Sequence, residues 1–376
     1  MNEVSILLTG DFCPQLRVED LILKGQMQAV FNDLKAEFDK SDLNIVDLEC
    51  PLVKDGQTIP KTGPHLKAHP EGVKALQYAR VGLVAMANNH IMDYGSQGLF
   101  DTMELCKGAG IATVGVGRNL EAARKPFYTE IKGTRIAVLN ITENEWSNTH
   151  GDEAGANPLD LAKNFHDIRQ AKSQSDVVIV IFHGGNEFYE LPSPRTKETL
   201  RFFVEAGASA VIAHHTHIVS GYEVYEGAPI FYSLGNFVFD WAGQRNSFWN
   251  TGYAVRLKIG KHTPVSFEII PFEQNDAKPG VFRLSGEALS KFNDNLSRLN
   301  SVIADDAQLK KQFDDYCRSK KDIYNIYLEP YRNSLLASLR KRGFIPSMFS
   351  KEKRRLMLNI TRCEAHRDIL LKSLEN

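Results

Sequence analysis

Val4-Ser5-Ile6-Leu7-Leu8-Thr9-Gly10-Asp11 is the stretch on which the fold turns. Its apolar run is too short for a core helix and rich in β-formers. It halts at a glycine and an aspartate, as a buried strand does when it delivers a polar side chain to a sheet edge. The pattern recurs at residues 43–48 before Glu49, 81–87 before Asn88-Asn89-His90, 111–116, 135–141, 177–182 before His183 and 208–213 before His214. Segments of helical period, residues 21–38, 72–79, 98–109, 159–171 and 196–206, lie between several of these runs. The alternation predicts an α/β fold. Residues 127–131 and 134–139, joined by Lys132-Gly133, read as a hairpin, so the sheets are not purely parallel. Further strand-like runs at 222–225, 230–232, 252–259 and 265–270 favour two sheets between helices over one doubly wound sheet.

After Pro271 the strand runs cease, and residues 284–313, 322–339 and 351–374 carry leucines and aromatics at helical intervals. Charge shifts at the same place. Residues 281–376 hold 19 Lys and Arg against 12 Asp and Glu, whereas the first 280 hold 26 against 34. Two modules follow, residues 1–275 and a mostly helical extension, 276–376. The cluster Lys351, Lys353, Arg354 and Arg355 is either a solvated helix face or a contact for phosphate or an acidic polymer.

With 376 residues, 43% of them hydrophobic, the chain is large enough to fold by core burial alone. A net charge of -1, negative over the strand-rich part, argues against a nucleic-acid partner. Five cysteines without paired spacing read as reduced thiols. The N-terminus has no basic leader, and no run of 18 apolar residues offers a transmembrane segment, so a cytoplasmic location is expected.

Ligand sites in α/β sheets lie beyond the carboxyl ends of strands, and the unusual polar residues gather there. Asp11, Glu49, Asn89, His90, His183, His215 and His217 all follow strand-like runs. Imidazoles and carboxylates together suit one or two divalent ions such as Mn, Zn, Fe or Mg, which acidify water and clamp phosphoryl oxygens. Asp93 is placed to orient His90, and Glu187 follows His183 closely. In His214-His215-Thr216-His217, alternate residues of an extended segment share a face. His215 and His217 would then grip one cluster, with His214 facing elsewhere as a supporting or packing residue.

These motifs resemble those of the capsule biosynthesis CapA family, also described as poly-gamma-glutamate synthesis proteins, whose domain is similar to the calcineurin-like metallophosphoesterases. The matching pieces within residues 3–273 are Leu8-Thr9-Gly10-Asp11, Asp47-Leu48-Glu49-Cys50-Pro51-Leu52, Ala87-Asn88-Asn89-His90 with Asp93-Tyr94-Gly95, His183-Gly184-Gly185-Asn186-Glu187, Ala213-His214-His215-Thr216-His217, and the run from Tyr232 through Ser233-Leu234-Gly235-Asn236-Phe237 to Asp240. The resemblance implies a four-layer α/β/β/α sandwich and metal ligation by Asp11, Asn89, His183, His215 and His217. It also implies Glu49 as the bridging ligand and His90, with Asp93, as the catalytic acid. Two departures stand out. Cys13 occupies the place of a ligand histidine, where a thiolate would favour a softer ion, and Glu49 stands where aspartate is usual. Asn236 either meets substrate or caps a turn, and Arg195 either pairs with an anionic substrate or is solvated. The expected function is a metal-dependent, hydrolase-like protein of capsule or exopolymer biosynthesis, a phosphoesterase acting on an anionic, phosphorylated or polymer-related substrate beside polymer-synthesis partners. The alternative is a non-catalytic component that binds an anionic polymer or couples synthesis to export.

Overall fold

The computed structural model describes residues 3–260, 263–328, 334–347 and 350–374. It contains two compact units, Met1–Leu309 and Lys310–Asn376. In the first, one sheet gathers β1 (Val4–Cys13), β2 (Leu43–Leu48), β3 (Val81–Ala85), β4 (Ala112–Val114), β13 (Asn236–Phe239), β14 (Thr251–Ile259), β15 (Ser266–Gln274) and β16 (Val281–Arg283). The other gathers β6 (Phe127–Ile131), β7 (Thr134–Thr142), β9 (Val177–His183), β10 (Ala210–His214), β11 (Tyr222–Tyr225) and β12 (Ala228–Phe231). A short ribbon pairs β5 (Val116–Gly117) with β8 (Gly155–Ala156).

The first sheet runs β16-β15-β14-β1-β2-β3-β4, with β13 beside β1, and the second runs β11-β12-β10-β9-β7-β6. Strands β1 to β4 are mutually parallel, as are β7, β9, β10 and β12. The outer strands β14, β15, β16, β6 and β11 are antiparallel. Side-chain alternation in β1 shows what each face covers. Ile6 and Leu8 join a core with Ile179, Val211 and other residues of the second sheet, while Leu7 joins a core with Val18, Phe31, Phe38 and Leu76 of the helices. Asn140 of β7 pins the sheets together: its Oδ1 accepts from Ala87 N at 2.6 Å, and its amide donates to Ile181 O at 3.3 Å.

The expected alternation of strand and helix is present, with local differences. The helix expected over 21–38 is broken into Arg17–Leu23, Met27–Phe31 and Lys35–Asp39, because Gly25 (φ 73°) and Asn32 (φ 42°) take left-handed conformations that stop a helix. Strands continue past Pro271: β15 reaches Gln274 and β16 pairs with it. Asn236 opens a strand rather than capping a turn, since β13 pairs in parallel with the end of β1.

The first compact unit also runs beyond residue 275. Helix Gly286–Ala304 buries Phe292, Leu296, Leu299, Val302 and Ile303 in the core of the second sheet, with Phe292 edge-on to Tyr253 at 5.9 Å. Lys197, almost wholly buried, reaches Ile303 O and Asp306 Oδ1. An extended residue, Asp305, splits the helix expected over 284–313, and Cys363 splits that over 351–374. The second unit contains the helices Ser334–Lys341, Lys351–Arg362 and Glu364–Leu374. Lys351, Lys353, Arg354 and Arg355 are all exposed there. Part of the helix expected over 322–339, residues 329–333, lies outside the described residues. No helix among the described residues is long and apolar enough to cross a membrane.

Candidate metal centre

The site begins with an irregularity in β1. Thr9 pairs with Val46 and Asp11 with Asp47, so Gly10 is an extra residue that bulges the strand. A Cβ on Gly10 would lie 1.7 Å from Gly235 O, which leaves glycine as the residue that fits. Asp11 thereby sits opposite both Asp47 and Asn236. Asp11 and Asp47 are each 1% exposed and Glu49 is fully buried. Ligand atoms of Asp11, Glu49 and His217 lie within 4.8 Å of one another, and so do those of Asp11, Asp47 and His183. Asp11 is common to both groups.

Imidazoles close the site from the second sheet. His183, at the end of β9, places Nδ1 3.1 Å from Asp47 Oδ2 and Nε2 3.1 Å from Asn89 Oδ1. Nδ1 of His215 stands 3.2 Å from that same His183 Nε2. Nδ1 of His217 lies 3.0 Å from Asn236 Oδ1, and its Nε2 is 3.7 Å from Glu49 Oε1. The segment is not extended as its alternation suggested. His215 (φ 91°) and His217 (φ 62°) both have left-handed backbones, a strained state for non-glycine residues. His214, expected to face away, instead has Nδ1 3.5 Å from Asp11 Oδ1.

Both oxygens of Asp11, both of Glu49 and Oδ1 of Asp47 have no hydrogen-bond partner among the described residues. Burial pushes Glu49 well above the usual carboxylate range, and the charges of Asp11 and Asp47 push it further. Burial likewise raises Asp47 despite His214. For Asp11, His217, His214 and His183 outweigh burial and hold the carboxyl below its usual range. Burial brings His183 and His215 down to about 3, so both rings are neutral with lone pairs to offer. Orphaned carboxylate oxygens beside neutral imidazoles are costly in a dry protein and complementary to a divalent cation. The residues present therefore fit one or two such ions.

His90 lies at the mouth. Its Nδ1 is 2.7 Å from Asp93 Oδ2, which also accepts from Leu66 N at 2.6 Å. The Lys61 ammonium pairs with Asp93 and lies 3.1 Å from His90 Nδ1. Burial pulls His90 below the ordinary imidazole range, with Asp93 working against it.

Cys13 is not brought to the carboxylates. It belongs to neither cation group, and its Sγ lies 2.7 Å from Cys50 Sγ, both buried. Burial, then Cys50, raises the Cys13 thiol well above its usual value, which disfavours a thiolate ligand. Arg195 pairs with Glu143 at 2.8 Å, and Glu143 accepts from Gly185 N at 2.9 Å, so the pair braces the loop after His183. Glu187 is exposed and lines a pocket with His90 and His217. Sequence reasoning missed Asp47 and Lys61 as partners. Asp47 was visible two residues before Glu49, whereas Lys61 sits in a Pro/Gly-containing loop without periodicity.

Fold and centre together define a mixed α/β protein with two candidate cation clusters that share one aspartate. The chain belongs to the family of the bacterial capsule synthesis protein PGA_cap, whose model matches residues 5–241. It is 31% identical over 289 residues to the capsule biosynthesis protein CapA of Bacillus anthracis, covering 74% of this chain and 69% of that one. It is 31% identical over 283 residues to the PGA biosynthesis protein CapA of Bacillus subtilis, covering 73% of each. Among solved structures, a hypothetical protein from Thermus thermophilus superposes with a TM-score of 0.46 at 15% identity, covering 72% of this chain and 99% of that chain.

Proposed function

We propose that this protein is a metal-dependent phosphoesterase of capsule or exopolymer biosynthesis, built as a metallophosphoesterase-like four-layer α/β/β/α sandwich. The observation that carries the reading is the set of buried carboxylate oxygens without partners, on Asp11, Asp47 and Glu49, facing the imidazoles of His183 and His217. Asp11, Glu49, Asn89, His183, His215 and His217 hold the cations in this reading, with Asp47 beside them. Divalent cations supply, when bound, positive charge against phosphoryl oxygens and an acidified water. His90 moves the proton. In the protonated ring Nδ1–H is held by Asp93 and Nε2–H gives its proton to the leaving oxygen as that oxygen's bond to phosphorus breaks and water takes its place, which leaves the ring neutral. Lys61 pairs with Asp93 and holds it in position. Asn236 holds the His217 ring so that Nε2 faces Glu49.

Phosphate release from a panel of phosphoesters by protein loaded with Mn, Zn, Fe or Mg tests the reading. Turnover is expected with at least one ion, with loss of activity in His90→Ala and His217→Ala. No turnover of any ester by fully loaded protein refutes it.

A further inference from the structure

Beside His90 and His217 lies a cavity of about 220 Å³, and four of its ten lining residues are Phe or Trp. These are Phe188, Phe239, Trp241 and Trp249, with Pro64, Leu66, Glu187 and Gln244 completing the lining. Trp249 is the centre of the cluster. Its ring lies 4.6 Å from His217, 4.8 Å from Phe239 and 5.9 Å from Trp241. Phe188 stacks against it at 6.0 Å and 24°. The indole N–H is occupied by Phe239 O at 2.8 Å, so it adds no donor to the surface. The loop carrying Trp241 is fixed at its root by Arg17, which grips Asp240 with two contacts of 2.8 Å.

We infer that this cavity is the subsite for an uncharged sugar ring carried by the phosphorylated substrate. The inference rests on the phosphoesterase reading for where the phosphoryl group sits. Three observations define the ligand. The volume is smaller than that of sites for drug-sized molecules, and suits a single ring rather than a length of polymer. Among the described residues no lysine or arginine lines it, so no basic side chain of the cavity is placed to select a carboxylate-bearing unit over an uncharged one. Phe188 stacks on Trp249, which is only 4% exposed, so the outer face of Phe188 is the open aromatic surface and there is no slot between the two rings for a flat base held on both faces. A pyranose suits that surface: its C–H face covers the exposed ring of Phe188, while its hydroxyls donate to Glu187 and bond to Gln244.

Calorimetry on the metal-loaded full chain tests this with inorganic phosphate, hexose 1-phosphates, a nucleoside monophosphate and tri-γ-glutamate, for wild type and Phe188→Ala. Phe188 is 47% exposed, so the variant should fold normally, and its melting temperature checks that. At least one hexose phosphate should bind about tenfold more tightly than inorganic phosphate, and Phe188→Ala should remove that advantage. Equal affinities for phosphate and every hexose phosphate overturn the inference, as does a Phe188-dependent preference for the nucleotide or the γ-glutamyl peptide. A second arm does not depend on phosphoester chemistry. Methyl glycosides of glucose, galactose and N-acetylglucosamine are titrated into metal-free protein, and tryptophan fluorescence is read. A saturable change lost in Phe188→Ala supports the sugar site even if no ester is turned over, and no change with any glycoside counts against the site whether or not esters are hydrolysed.

Discussion

Asn236 Oδ1 lies 3.0 Å from Nδ1 of His217, while Asn236 Nδ2 donates to the backbone oxygens of His217 and Trp249. One buried amide thus sets the ring, the main chain and the neighbouring aromatic wall. Asn236→Ala should weaken metal binding by about 10- to 100-fold, the usual consequence of losing the partner that orients a ligand histidine. It should also cost about 1 to 3 kcal/mol of stability by leaving buried groups unpaired. Titration with Mn or Zn followed by calorimetry, and urea unfolding of the metal-free protein, measure the two effects separately.

Asp11 belongs to both candidate cation groups, whereas Glu49 belongs to one. Metal analysis should therefore find Asp11→Asn stripped of both ions and Glu49→Gln retaining one. The rise in melting temperature on adding metal should vanish in the first variant and persist in part in the second. Equal retention in the two variants contradicts the shared role of Asp11.

Glu37 is buried beneath Arg256 and Arg283, at 2.6 Å from each. Burial opposes its charge, but Arg256, Lys40 and Arg283 outweigh it and hold the carboxyl below its ordinary value. The stabilisation is present above the unfolded carboxyl pKa of about 4.3 and is lost as pH falls through the lower folded value. Glu37→Gln should cost about 3 kcal/mol at neutral pH, because Arg256 is left buried with less compensation. Its stability should converge with that of wild type in acid, as read from urea midpoints across the pH range.

A chain ending at Leu309 should unfold cooperatively. One ending at residue 285 should not, because it loses Phe292, Leu296, Leu299 and Ile303, each worth about 1.5 to 3 kcal/mol of burial. Calorimetric melting of the two truncations distinguishes the cases; a sharp, undiminished transition in the shorter chain refutes this.

Much of the centre was legible because strand ends are easy to read. Asp11, Glu49, Asn89, His183, His215 and His217 each follow an apolar run, and parallel strands in neighbouring positions carry those ends to one place. What alternation could not show was where the chain departs from regular geometry. The register of β1 against β13 shifts between Asp11 and Phe12, Cys13 meets Cys50 rather than the carboxylates, and the left-handed turns at His215 and His217 leave His214 facing Asp11. Asn236 was ambiguous because its strand exists through pairing with β1, a contact more than 200 positions away in the chain. The helix after residue 285 was visible as a helix, but its place in the core of the second sheet is a tertiary fact that periodicity does not encode.

The crowding of Asp11, Asp47 and Glu49 makes this protein answerable to the ionic composition of its surroundings before any substrate reaches it. In the proposed reading, the metal-free folded chain keeps carboxyl oxygens buried without partners, a cost that the unfolded chain escapes. Whatever lowers the available divalent ion also increases the time that molecules spend open to proteolysis, so the steady amount of this protein should follow metal nutrition.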